Sequence, residues 1–216
     1  MKKIYVKNMQ KLLLCAADKI IENESYLTQI DTIIGDGDHG TGMKRGFTAL
    51  KKMLKSEEFR EMDTLCKMTG MELLKSMGGA SGVIYGTMFL GGIQCMPHEA
   101  YADCYQFISW LSEGEASIER RGKTKPGQKT MLDALMPAVT AMRQASELSD
   151  DIVQILQAGY SGASRGVEES KKMQSRAGRS KNFCGETIGL PDPGAVSTSF
   201  IFEAFAEEIK KCEEEA

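Results

Sequence analysis

The chain has 216 residues, 42% of them apolar and 26% charged, with a net charge of −3. A chain of this length can bury a large core as one domain without disulfides or a structural metal, and its weak negative charge argues against nucleic acid or an anionic membrane as a partner. The six cysteines form no C-x-x-C pair and there is no basic-then-apolar leader, so we expect free thiols in a cytoplasmic protein rather than zinc sites or secretion.

The predicted elements are all helices, because apolar residues recur at spacings of three and four along most of the chain. The eight predicted helices cover residues 6–20, 40 into the 50s, 65–77, the glycine-rich stretch after 80, 104–122, 130–148 with a bend at Pro137, 152–173 with a break allowed at Gly162, and 199–212. No segment alternates apolar and polar residues as a half-buried strand would. We therefore predict an all-α fold without a sheet, in a single domain over residues 1–216.

Residues 76–97 carry no charge and are the one stretch to test as a membrane span. They contain six glycines and several polar side chains, which makes them too polar and too glycine-rich to cross a bilayer. We predict a buried helix instead, in which Gly82 and Gly86 allow a neighbouring helix to pack closely. No membrane association is expected.

The segment GDGDHGTGMKRGF places Asp36 and Asp38 in a glycine-rich turn directly before a predicted helix, with Asp31 just upstream. Hard divalent cations such as Mg²⁺ prefer carboxylate oxygens, and glycine permits the tight turn that aims two carboxylates at one point. Helix capping would explain one of these aspartates but not three. An EF-hand is excluded because Gly40 and Phe47 would occupy ligand positions. The three aspartates therefore predict a metal site.

The same segment has the features of a phosphate-binding corner, because backbone N–H groups at a helix start bind phosphate. His39 has two interpretations: it contacts nucleotide or orients a ligand, or it is a loop histidine with a satisfied hydrogen bond. In GGASGVIYG, Ser81 either donates to phosphate or caps the following helix.

Three further loops carry polar residues beside glycine. In GKTKPGQKTM, Lys123, Lys125 and Lys129 either meet phosphate or a partner, or are solvated, which suits at least two of them. Arg179 can clamp phosphate through its guanidinium. The turn over residues 192–194 opens the last predicted helix.

Taken in order, five segments resemble the nucleotide-binding L subunit of dihydroxyacetone kinase: GDGDHGTGMKRGF, GGASGVIYGTMF, RGKTKPGQKTMLDAL, GASRGVEES and DPGAVS. The resemblance implies a barrel of eight antiparallel helices that holds ADP or ATP at one end through two Mg²⁺ ions. Asp31, Asp36 and Asp38 would bind the ions and act as the catalytic residues. The nucleotide would contact His39, Gly40, Thr41, Gly42, Ala80, Ser81, Gly122, Met131, Arg179, Asp192, Pro193 and Gly194.

The resemblance also implies partners. In this family a separate K subunit binds the sugar, so the chain would pass the phosphoryl group across an interface. Because little sequence flanks the L-type motifs, we expect a free-standing L subunit, the type that takes phosphate from a phosphohistidine carrier of the phosphoenolpyruvate phosphotransferase system and retains ADP. A homodimer is compatible with this arrangement.

Two departures from the family pattern leave alternatives open. The family usually has an asparagine at the position of Gly42, and near the pocket lid it often reads Gly-Glu-Arg-Ser where this chain has Gly-Glu-Thr-Ile at residues 185–188. The second departure affects either the contact with the partner subunit or the class of sugar that is phosphorylated. An ATP-dependent kinase subunit for another short ketose, such as a tetrulose, is therefore one alternative, and a non-catalytic nucleotide sensor is another.

Overall fold

A computed structural model describes residues 1–215 of the protein, except for the side chain of Cys184. The elements in chain order are β1 (Lys3–Tyr5), α1 (Val6–Glu22), α2 (Glu24–Ile34), α3 (His39–Ser56), α4 (Met62–Ser76), α5 (Gly79–Leu90), β2 (Tyr101–Asp103), α6 (Cys104–Gly122), α7 (Leu132–Ser146), α8 (Ile152–Ser170) and α9 (Pro193–Glu214). Two 3₁₀ helices, Ile93–Cys95 and Ser180–Thr187, lie in loops. The predicted all-α class is confirmed, with nine α-helices over residues 1–215 instead of eight.

Eight of these helices pack in a closed ring. Going round it, α1 packs on α3, each helix from α3 to α8 packs on the next, and α9 returns to α1. The remaining helix, α2, lies outside the ring against α3 and α9. The eight-helix barrel expected from the resemblance corresponds to this ring, and α2 is the additional element.

Helix α2 was not predicted, because a single residue separates it from α1. Asn23 ends α1, and its side-chain Nδ2 donates to the Lys19 carbonyl at 2.8 Å, so the first helix stops without a glycine or proline. The apolar stripe of α2 is short, with Leu27, Ile30 and Ile34 as its buried apolar residues. A short helix that follows a long one directly has no glycine, proline or loop before it to mark its start in the sequence.

A small antiparallel ribbon corrects the prediction that there is no sheet. It pairs β1 with β2 in the register Lys3↔Asp103, Ile4↔Ala102 and Tyr5↔Tyr101. Only the central pair is buried. Strands of three residues are too short to show alternation that can be recognised in a sequence.

Glycines at helix contacts bring several neighbours unusually close. A Cβ on Gly86 would lie 2.8 Å from the Leu74 Cβ on α4, and one on Gly82 would lie 3.2 Å from the Met77 Cβ, which confirms the predicted close packing of α5. A Cβ on Gly162 would lie 2.3 Å from the Pro137 carbonyl oxygen, so this glycine is a contact between α7 and α8 rather than a break. No helix among the described residues is long and apolar enough to cross a membrane.

Alternating helix direction gathers one set of helix ends at one end of the ring. Helices α3, α5, α7 and α9 begin there, while α4, α6 and α8 end there. The β ribbon lies at the N-terminus of α1 and the N-terminus of α6. The predicted site residues therefore belong to loops and first turns at a single end of the barrel.

Candidate functional site

A cavity of about 480 Å³ opens at the end of the ring where these helix termini meet. It brings together nearly all of the predicted site residues. Those that line it are Asp31, Asp36, Asp38, His39, Thr41, Gly42, Ala80, Ser81, Gly122, Met131, Arg179, Asp192, Pro193 and Gly194.

Gly40 is the exception, because it faces helix α2 instead of the cavity. A Cβ at this position would lie 2.2 Å from the Thr28 Oγ1 and 2.4 Å from the Glu24 carbonyl oxygen. The residue is a glycine because α2 and α3 approach so closely there. Gly40 therefore has a packing role against α2, and its contact with the nucleotide stays a prediction.

Three carboxylates form a cluster at the wall of the cavity. Asp31 at the end of α2 and Asp36 and Asp38 in the following turn each offer one oxygen, and these oxygens lie within 4.8 Å of one another. The turn needs its glycines: a Cβ on Gly35 would lie 2.2 Å from the Asp31 Oδ1, and Gly37 has a φ of 74°. The metal-binding role of these aspartates stays a prediction, and a set of carboxylate oxygens fits a hard divalent cation.

The electrostatics of this cluster favour a bound cation. Burial raises the pKa of Asp31, although its carboxylate accepts a hydrogen bond from the His39 backbone N–H at 3.1 Å. Burial and the neighbouring charge of Asp36 raise the pKa of Asp38 as well. Carboxylates held together in this way repel one another, and a positive charge among them would relieve the repulsion.

His39 belongs to a buried hydrogen-bond network. Its Nδ1 lies 3.3 Å from the Ser81 Oγ and its Nε2 lies 2.9 Å from the Ser197 Oγ, which in turn lies 2.6 Å from the Tyr85 hydroxyl. Burial lowers the pKa of His39 to about 4, so the imidazole is neutral at pH 7. Ser197 and Tyr85 were not predicted, although both lie in quoted motifs, because their part in the network depends on Tyr85 of α5 reaching the first turns of α9.

The start of α5 faces the cavity through a pair of glycines with positive φ, a conformation that glycine adopts readily. Gly78 and Gly79 have φ values of 74° and 61°, and Gly78 is the N-cap residue. Ser81 is therefore not the cap of this helix, and its hydroxyl faces His39 and the cavity. Arg45, which the sequence analysis did not single out, also lines the cavity and donates through Nε to the Ser76 carbonyl at 3.1 Å.

A long loop covers the mouth of the cavity. Residues 171–191 connect α8 to α9 and carry Arg179, whose Nε lies 2.9 Å from the Asp36 Oδ2. Lys129 is buried beneath this loop and donates to backbone carbonyls. Of the predicted alternatives, solvation is wrong for Lys129, whose ammonium group lies among carbonyls, whereas Lys123 and Lys125 are exposed.

The remaining wall combines apolar side chains with a buried acid. Ile84, Ile118 and Met131 line it beside Gly122. Asp192 caps α9 by accepting a hydrogen bond from the Ala195 N–H at 2.8 Å, and burial raises its pKa to about 7. The cavity thus has an acidic wall and an apolar wall under one loop.

Comparison with known proteins places these features in a family. Residues 33–207 match the model of the DAK2 domain. The chain is 36% identical over 188 residues to the ADP-binding subunit DhaL of the PEP-dependent dihydroxyacetone kinase of Escherichia coli (strain K12), covering 87% of this chain and 90% of that protein. It is 34% identical over 187 residues to the ADP-binding subunit DhaL of PEP-dependent dihydroxyacetone kinase 1 of Listeria innocua, covering 87% and 88%.

A solved structure is also similar. The dihydroxyacetone kinase of C. freundii in complex with AMP-PNP and Mg²⁺ aligns with a TM-score of 0.72 and 25% sequence identity. The alignment covers 92% of this chain and 33% of that one, so the chain spans about a third of the larger kinase.

Proposed function

The chain belongs to the DAK2-domain family, and on this premise we propose that it is the ADP-binding subunit of a phosphoenolpyruvate-dependent dihydroxyacetone kinase, a phosphotransferase with one domain over residues 1–216. It holds ADP or ATP in the cavity and passes the phosphoryl group to dihydroxyacetone on a separate K-type subunit. One observation carries the proposal: three clustered carboxylates, Asp31, Asp36 and Asp38, lie at the wall of a cavity where four helices begin.

The acidic wall is the phosphate end of the site. Asp31, Asp36 and Asp38 would hold two Mg²⁺ ions, which neutralise phosphate charge and orient the transferred group when bound. The chain itself contributes the backbone N–H groups at the starts of α3 and α5, where the helix dipole is positive. Ser81 adds a hydroxyl there, and the neutral His39 orients it without adding a charge.

The apolar wall would take the base, and the loop over residues 171–191 would close the site. Ile84, Ile118 and Met131 offer an apolar surface to an aromatic ring. Arg179 lies at the mouth, where its guanidinium can leave Asp36 and donate to a phosphate. Closure of this kind excludes water from the phosphoryl group.

The proposed donor is a phosphohistidine carrier of the phosphoenolpyruvate phosphotransferase system. The relatives at 36% and 34% identity are both PEP-dependent, and this chain covers about nine tenths of each. In such a system ADP stays bound and is rephosphorylated in place, which is consistent with a site that grips the diphosphate from several sides and releases it slowly.

Two measurements test the proposal. Calorimetry on nucleotide-free protein should show ADP binding that requires Mg²⁺ and is lost in Asp38→Asn; absence of binding in the wild-type protein would overturn the function. Phosphoryl transfer to dihydroxyacetone should then require the K subunit and phosphocarrier of the same organism, with free ATP a poor substitute. Equal steady rates with ATP and the K subunit alone would overturn the proposed donor.

A second candidate is the subunit of an ATP-dependent kinase for another short ketose. It is favoured by the lid, where the family often has an arginine and this chain has Thr187. The Thr187 side chain is buried and its Oγ1 accepts a hydrogen bond from the Ser175 N–H at 3.0 Å, so it presents no charge at the mouth. Dihydroxyacetone and a tetrulose offered as competing acceptors in the transfer assay would separate the two candidates.

A further inference from the structure

Lys129 is a fully buried lysine whose ammonium group lies among backbone carbonyls. Lys129 is 1% exposed. Its Nζ lies near four carbonyl oxygens, at 2.8 Å from that of Ser170, 3.2 Å from that of Met173, 2.7 Å from that of Thr187 and 2.6 Å from that of Leu190. The first two carbonyls belong to the chain leaving α8. The other two belong to the chain returning to α9, so one cation joins both arms of the loop.

These contacts close the neck of the loop over residues 171–191. At the same level the Gly189 N–H donates to the Lys171 carbonyl at 2.7 Å. Farther along, the Ser175 N–H donates to the Thr187 Oγ1 at 3.0 Å. The loop is therefore pinched at its base, and these contacts hold its two arms together.

A cation suits this neck better than any neutral side chain. The last carbonyls of a helix have no partner within the helix and carry the negative end of its dipole, and Ser170 is the last residue of α8. An ammonium group donates three hydrogen bonds and accepts none. Lys129 also has a φ of 61°, an unfavourable backbone conformation for a residue with a Cβ. Such strain persists where the surroundings require the side chain at that position.

The loop that Lys129 holds carries Arg179. Arg179 reaches the Asp36 Oδ2 across the mouth of the cavity, yet its side chain is 77% exposed. The adjoining Gly178 has a φ of 63°, and a Cβ at this position would meet no atom within 4 Å. Because so little packs around this side chain, the placement of the guanidinium depends on how the backbone of the loop is held, and the neck is one of the points that hold it.

We propose that Lys129 is a positioning residue that fixes the neck of the 171–191 loop and so holds Arg179 over the mouth of the nucleotide site. The inference rests on the proposed function, because it assigns to Arg179 a phosphate at that mouth. It differs from a direct role, in which the Lys129 ammonium would itself contact phosphate.

Hydrogen exchange of the ligand-free protein tests the first half of the proposal. In Lys129→Met, which keeps the length of the side chain and removes its charge, the amides of residues 171–191 should exchange at least tenfold faster while those of α3 do not change. Lys125→Met, at an exposed position four residues away, is the matched control. If the Met variant loses its helical circular dichroism, Lys129→Gln replaces it. Wild-type exchange in a folded variant would overturn the proposal.

A double-mutant cycle on ADP affinity in the presence of Mg²⁺ tests the second half. Lys129→Met should weaken binding at least fivefold in the wild-type background and less than twofold when Arg179 is already alanine. Equal losses in the two backgrounds would mean that Lys129 acts without Arg179, and the positioning role would be wrong. If wild-type protein binds no ADP, the proposed function fails, while the exchange experiment still reports on the neck.

Discussion

Arg179 and Asp36 meet across the mouth of the cavity, with 2.9 Å between the guanidinium Nε and the carboxylate Oδ2. Their side chains are 77% and 38% exposed, so the ion pair stabilises the fold by less than about 1 kcal/mol. We expect Arg179→Ala to leave the free energy of unfolding nearly unchanged and to weaken ADP binding by roughly 1.5–3 kcal/mol, the worth of a charge-assisted contact. Denaturation and calorimetry measure the two effects. The control is Arg176→Ala, which replaces an exposed arginine on the same loop. Equal ADP affinities in the two variants would show that Arg179 makes no phosphate contact.

The three aspartates should separate into two classes on mutation. Asp36 and Asp38 are more exposed than Asp31, so replacing either with alanine should abolish Mg²⁺-dependent ADP binding and leave the ligand-free fold as stable or more stable. Asp31 is buried and accepts the His39 N–H at 3.1 Å. Asp31→Ala should therefore also cost about 1–3 kcal/mol of folding free energy, because it leaves that N–H unpaired. Urea unfolding without Mg²⁺ measures this, and equal stabilities of Asp31→Ala and Asp38→Ala would contradict the distinction.

Two glycines in the first turn of α3 should respond oppositely to a side chain. A Cβ on Gly42 would find its nearest neighbour, the Met77 carbonyl oxygen, at 3.8 Å, whereas a Cβ on Gly40 would lie 2.2 Å from the Thr28 Oγ1. Gly42→Asn should stabilise the helix by up to about 0.5 kcal/mol and tighten ADP binding. Gly40→Asn should destabilise the fold by about 1–3 kcal/mol through overpacking. Thermal unfolding of the two variants tests this. Wild-type stability in Gly40→Asn would show that α2 moves away from α3 at little cost and would contradict the packing role of Gly40.

The contrast between these glycines shows what the sequence could and could not predict. The helical class follows from apolar spacing, and the acidic cluster follows from three aspartates around glycines, because both patterns are local. Gly40 and Gly42 look alike in the sequence, and only the position of α2, a helix the sequence analysis missed, separates them. Whether a glycine faces a cavity or a neighbouring helix depends on contacts made by residues that are distant in the chain.

Lys129 shows the same limit for a charged residue. Its neighbours in the sequence are a flexible basic loop, and two lysines there are solvated as expected. Lys129 differs because four carbonyls from the end of α8 and the loop after it, some forty to sixty residues later, surround its ammonium group. No local pattern could indicate this, since the acceptors are backbone atoms and carry no sequence signature.

The two histidines of the chain should titrate in different pH ranges. Burial lowers the pKa of His39 to about 4, while the ion pair with Asp63 raises that of His98 above 6.5. In the ligand-free protein the NMR signals of the His98 ring should therefore shift above pH 6.5, and those of His39 should stay in the neutral form until well below it. His98→Gln assigns the signals. Between pH 6.5 and 4, His39 is protonated in the unfolded chain and neutral in the folded protein. The stability that the neutral, buried His39 contributes is therefore lost as the pH falls from 6.5 towards 4. A His39 midpoint at or above 6.5 would contradict the buried network.

Asp192 should make the protein less stable as pH rises. The residue is 6% exposed, and burial raises its pKa from 3.8 to about 7. Between these values the folded protein retains a proton that the unfolded chain has released, so stability is greatest below pH 4 and is lost as the pH rises through 7.

Asp192→Asn keeps the cap of α9, because asparagine caps helices as well as aspartate, and removes the titration. The stability of the variant relative to wild type should therefore increase between pH 4 and 8, by on the order of 2–4 kcal/mol at 1.36 kcal/mol per pKa unit. Urea unfolding at both pH values measures this difference, with Asp103→Asn, at the half-buried cap of α6, as the comparison. Parallel pH profiles for wild type and Asp192→Asn would mean that the carboxylate is already charged in the folded protein, with the Lys129 ammonium as the nearby group able to keep it so.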